Sequence, residues 1–210
     1  TPAWPTMRRM PIQLRLRFVA AAIATALTVS ASAQQAPQAP QAPQTAVGFL
    51  KNLYNGNKNN ILRSAEKMPE EFYGLRPGPQ QEVRTFGQHV AHVAHYGFLW
   101  CSQAKGEKNP DARDLEKVLT TKAEMMKAVT DAFAYCDTAY AALTDANADD
   151  INGITQENGR QQRLPRMGLL TLNVAHNNEI YGNMVTTMRI KSIVPSSSEP
   201  RPAAPAPAAR

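Results

Sequence analysis

The chain predicts an all-α protein, a four-helix bundle, on three observations. Four stretches carry apolar residues at helical spacing, none sustains the alternation of a half-buried strand, and two capping boxes mark helix starts. The first stretch, about Ala46 to Met68, places Phe49, Leu50, Leu53, Tyr54, Ile61, Leu62 and Ala65 on one side. Asn55-Gly56 weakens its middle, because glycine costs a helix interior about 1 kcal/mol relative to alanine, and Pro69 stops it. A polar loop with Pro77 and Pro79 leads to Thr85 and Gln88, a capping box that opens a second helix running to about Cys101. A second such box, Thr121 with Glu124, opens a third helix to about Leu143. Asp145 to Gln162 reads as polar loop; Pro165 suits the first turn of a last helix that ends near Ile190.

The ends read differently from this middle. Thr1 is no initiator, so Met7 or Met10 is the expected start and residues 1–6 an untranslated leader. Arg8, Arg9, Arg15 and Arg17 precede an apolar run from Phe18 to Val29 and a small-x-small site, Ala31-Ser32-Ala33. That is the pattern of a secretory signal peptide over residues 1–33, cleaved after Ala33. The apolar run is short of the roughly 20 residues that span a bilayer, so no stable membrane insertion is expected after cleavage. Residues 34–45 form an Ala/Pro/Gln-rich linker, residues 46–194 the bundle, and residues 195–210 a disordered Pro/Ala-rich tail with nothing to bury. The expected location is periplasmic or secreted.

Charge excludes one class of partner. Four of the 23 basic residues lie in the leader, leaving 19 against 17 acidic residues, a net of +2. No basic face interleaved with aromatics remains, so nucleic acid is not an expected partner. A small-molecule ligand and a second copy of the chain stay open as partners. The two cysteines, Cys101 and Cys136, fall in the second and third helices. They form either a disulfide closing a loop of about 35 residues or two buried thiols, and export to an oxidising compartment favours the disulfide.

Chemistry concentrates on four histidines. His89, His92 and His95 share an arc of about 120° on the second helix, with His89 nearest its apolar side and His95 furthest from it, the most solvated. On the last helix His176 shares a face with Leu169, Leu172, Ile180, Asn183 and Thr187, and looks inward. Imidazoles gathered from two helices into a bundle are suited to a divalent ion, although tetrahedral zinc takes three or four protein ligands. Nothing specifies a nucleophile triad around Ser102 or a phosphate cradle, since Gly153 and Gly159 are isolated.

Three segments, Lys67 to Pro77 (KMPEEFYGLRP), Arg84 to His92 (RTFGQHVAH) and Asn173 to Asn183 (NVAHNNEIYGN), taken in order and spacing, resemble the DinB-like family across about Ala46 to Val194. The resemblance implies a four-helix bundle whose divalent metal is held by one histidine of the second helix and a His-x-x-x-His pair of the last. By position the first ligand matches His92, the second His176, and the third falls on Ile180. Isoleucine has no lone pair, so a third ligand would have to come from His89, Glu179 or Asn183. A two-histidine, one-carboxylate site would suit iron or another transition metal; zinc and nickel complete the expected candidates, and an absent ion is the alternative.

Two functions follow from the resemblance. One is an exported DinB-like protein with a degenerate metal site, a non-catalytic small-ligand-binding or stress-related module. The other is a divalent-metal-dependent enzyme of thiol transferase, isomerase or hydrolase type that uses His92 and His176. The sequence leaves catalytic residues unassigned. Edman sequencing of exported protein is expected to begin at Gln34; a soluble cytoplasmic product that retains Met10 would show that the leader is not a signal.

Overall fold

A computed structural model describes residues 44–155 and 161–200. The leader, all but the last two residues of the linker, and residues 201–210 lie outside the described residues. Four long helices form the bundle: α1 (Ala46–Lys67), α2 (Phe86–Lys105), α4 (Lys122–Ala142) and α5 (Arg166–Ile190), with a short α3 (Leu115–Val118) between the second and third. The predicted all-α bundle is therefore present. No described helix is long and apolar enough to cross a membrane.

Both predicted capping boxes are formed. The Thr85 hydroxyl accepts from the Gln88 N–H and the Gln88 side chain accepts from the Thr85 N–H, at 3.1 and 2.9 Å; Thr121 and Glu124 repeat the arrangement. Each box satisfies two of the donors that a helix N-terminus leaves unpaired. Gly106 closes α2 in the left-handed region at φ 70°, where a side chain would be strained. The predicted weakness at Asn55-Gly56 is overridden, because α1 runs through it and sets Asn57 on the buried side.

Three expectations are corrected. Residues 145–162 are not all loop: β1 (Ile151–Thr155) and β2 (Gln161–Pro165) pair antiparallel, with Ile151 opposite Pro165 and Thr155 opposite Gln161. The Asn152 amide donates to the carbonyls of Gln103 and Ala104, which occupies acceptors that the end of α2 would otherwise leave open. Pro165 ends the second strand and sits just before α5, rather than inside its first turn. Finally, the segment after Val194 does bury something. Ser196 is 7% exposed, its hydroxyl meets Ser64 at 3.2 Å, and Glu199 pairs with Arg63 and Lys67 of α1.

The most extensive helix contact is between α2 and α4. A Cβ at Gly97 would come within 3.3 Å of the Ala132 methyl, so the two backbones approach as closely as side chains permit. One turn along, Cys101 and Cys136 form a disulfide with Cα atoms 5.3 Å apart, which settles the alternative in its favour. Both cysteines are almost wholly buried. Closing a loop over a sequence separation of 35 should stabilise the fold by about 3 to 4 kcal/mol in the chain-entropy description. Replacing both cysteines by alanine should lower the unfolding free energy by about that amount in urea titrations; equal midpoints for the two proteins would show that the crosslink contributes nothing.

Candidate functional site

His92 and His176 meet between α2 and α5, with ring centroids 4.9 Å apart. His92 is 4% exposed and the His176 side chain 20%. Tyr96 and Trp100 follow His92 at i+4 and i+8 and so lie on the same stripe of α2. Their rings sit 5.0 Å from that of His176, and Tyr96 lies 4.5 Å from His92. Tyr96 and Trp100 are half-buried, so this group of four rings reaches the surface.

A carboxylate holds the ring of His92. Leu115, completely buried, anchors the short α3, and the next residue, Glu116, accepts a hydrogen bond from His92 Nδ1. The other oxygen of Glu116 accepts from Arg84 Nε at 2.6 Å. Burial alone would push Glu116 up, but the bonds from His92 and Arg84 outweigh it and hold the carboxyl down at about 2. An ionised carboxylate has no proton to give, so Nδ1 of His92 is the donor.

The other histidines differ in role. His176 is pushed below its ordinary range by burial, then by His92 and Arg84, with Glu179 opposing. Its Nε2 is buried without a partner, while Nδ1 stands 3.7 Å from Glu179, too far for a hydrogen bond. His89, 5% exposed with Nδ1 unpartnered, is held down at about 4 by burial and by the nearby charges of Arg84 and His92. His95 is half-buried and donates from Nδ1 to the Arg113 carbonyl.

Of the residues named as third ligands, Glu179 has a side chain 73% exposed, Asn183 is exposed, and His89 is buried beside the pair. Ile180 is 3% exposed and fills the inward position one turn from His176. Among the described residues no three His, Cys, Asp or Glu side chains are grouped to hold a metal ion. The donor set is thus two imidazole nitrogens with a hydrocarbon in the third place, and it does not fit the three-ligand divalent site that the resemblance implies. Sequence reasoning missed Glu116, Arg84, Tyr96 and Trp100. Helical spacing from His92 could have found the two aromatics; Glu116 sits beyond a loop, where periodicity carries no information.

The sequence profile of the DinB superfamily matches residues 54–179. Among solved structures, a DinB-like protein from Bacillus cereus is 18% identical, with TM-score 0.58 over 76% of this chain and 99% of that one. A DinB-like protein from Bacillus subtilis is 16% identical, with TM-score 0.54 over 73% and 99%. A mycothiol-dependent maleylpyruvate isomerase is 15% identical, with TM-score 0.53 over 67% of this chain but only 61% of that protein. These likenesses establish the fold. No curated protein matches the chain.

Acid should act on the site in two steps. A histidine whose folded pKa is depressed is neutral in the fold while the unfolded chain takes up a proton, so its stabilisation is present above its usual 6.5 and is lost as pH falls toward about 4. Glu116 contributes above its ordinary 4.5 and loses its contribution as pH falls through about 2. The His89 step corresponds to about 3 kcal/mol at most. Urea midpoints between pH 7 and 4 should fall steeply in the parent chain and flatten in His89→Gln; parallel slopes would remove His89 as the cause.

Proposed function

The chain belongs to the DinB superfamily, and from that premise we propose that it is an exported, non-catalytic module whose former metal pocket binds a small apolar or aromatic ligand. The observation that carries the proposal is Ile180. At 3% exposure it occupies the third ligand position with a branched hydrocarbon, which changes the kind of site rather than its strength. One turn from it, the rings of His92, Tyr96, Trp100 and His176 contact one another, and aromatic side chains with a few fixed polar groups are the usual make-up of a small-molecule site. The Nε2 of His176, buried and unpartnered among the described residues, would orient a ligand through one hydrogen bond to a polar group. The leader pattern and the buried Cys101–Cys136 disulfide support an exported chain.

A second reading, a divalent-metal-dependent enzyme of thiol transferase, isomerase or hydrolase type, draws support from one contact. Glu116 fixes the tautomer of His92 in the way that carboxylates commonly support metal-bound histidines. The isomerase of similar fold uses mycothiol. Low-molecular-weight thiols of that kind are cytosolic reductants, and an oxidising compartment would not keep them reduced.

Calorimetric titration with zinc, nickel and iron separates the two readings. The parent chain should bind none of them stoichiometrically, whereas Ile180→His should gain affinity by two orders of magnitude or more, since even supporting residues around a metal shift affinity roughly 10 to 100-fold. Phenol, an apolar ring with one O–H, should shift the emission of Trp100 in the parent chain and not in a Tyr96→Ala, His176→Ala variant. Tight stoichiometric metal in the parent chain, or no response to Ile180→His, would overturn the assignment.

A further inference from the structure

Away from the histidines, the interface of α1, α4 and α5 holds three asparagines that the proposed function does not use. Asn57 is 3% exposed, Asn173 0% and Asn177 1%. Asn173 and Asn177 are one turn apart on the inward face of α5, and the Asn57 amide donates to the intervening carbonyl of Val174 at 3.0 Å. The three amides therefore converge on one short length of α5. Tyr140 of α4 closes the other side, its single hydroxyl proton shared between the Leu170 carbonyl and Asn173 Oδ1 at 2.8 and 3.0 Å.

Four amide atoms in this group have no partner among the described residues: Asn57 Oδ1, Asn173 Nδ2, and both Oδ1 and Nδ2 of Asn177. Buried side-chain polar atoms nearly always find a partner in folded proteins, and groups that cannot do so within the protein are characteristically served by an enclosed water making about three hydrogen bonds. Two of these atoms are donors and two are acceptors. A water molecule offers two of each. An ion would satisfy only one of the two kinds, and an apolar ligand neither.

We propose that Asn57, Asn173 and Asn177 form an internal hydration site, in which an ordered water bridges α1 to α5 beneath Tyr140. The site has no titratable member apart from the phenol of Tyr140, which burial pushes up, so its occupancy is the same from pH 5 to pH 8. Ile180 lies between it and His176 around α5, which keeps the water separate from the histidine pair. The proposal is thus independent of what the histidine pocket binds.

The test is magnetic relaxation dispersion of water oxygen-17 on the folded chain, compared with Asn177→Leu and Asn57→Leu. Each variant fills or dismantles the amide cluster and should lose the amplitude of one long-lived water. Dispersion unchanged in a variant that folds, as judged by its far-ultraviolet circular dichroism, overturns the proposal. A crystal structure of the parent chain with no solvent density between the three amides overturns it as well, whether or not either variant folds.

Discussion

The close contact between α2 and α4 is the constraint on which the site depends. Gly97 lets the helices touch, and the Cys101–Cys136 bond fixes how far one can slide along the other. At about 100° per residue, Gly97 and Cys101 lie well over 100° around α2 from His92. Seating the first pair against α4 therefore turns His92, Tyr96 and Trp100 toward α5. A helix joined to the bundle on only one side would leave that second stripe in water. Here α2 is buried on most of its circumference, and a polar side chain such as His92 is enclosed because the backbone on its far side has nowhere else to go.

Enclosure then sets the electrostatics. Burial pushes His89 and His176 toward their neutral forms, and Arg84 acts in the same direction. The same Arg84 keeps Glu116 charged. Burial, aided by Arg84, thus favours the neutral forms of His89 and His176, while His92 and Arg84 together hold Glu116 ionised, and the carboxylate fixes the proton on His92 Nδ1. The result is a seam between α2 and α5 in which two buried ring nitrogens, His89 Nδ1 and His176 Nε2, have no partner among the described residues, with the Arg84–Glu116 ion pair at its edge.

The long helices were legible in the sequence because each has a chemical start and a repeating face. Thr85 with Gln88 and Thr121 with Glu124 mark two of the starts without any knowledge of tertiary contacts, and the apolar spacing of α1 survives even the Asn55-Gly56 interruption. The meeting of His92 and His176 was legible only through the family motifs, since helical periodicity says which side a residue faces and not what it faces. The hairpin was missed because Ile151 and Ile154 are too few to show alternation, and pairing across the turn is a non-local event. Glu116 and the Ser196 contact with Ser64 were invisible for a related reason: each is a short segment whose position is dictated by the surface on which it lands.

The pairing of Ile180 with His176 can be weighed in the same physical terms. Burying an isoleucine side chain contributes roughly 1.5 to 3 kcal/mol, whereas leaving one buried acceptor such as His176 Nε2 unsatisfied costs about 1 to 3 kcal/mol. The two effects are of similar size and opposite sign. An isoleucine at 180 beside a histidine at 176 is therefore close to neutral for the fold. Among the described residues His176 Nε2 has no partner, a cost that the buried Ile180 offsets and that a polar atom of a ligand placed there would remove.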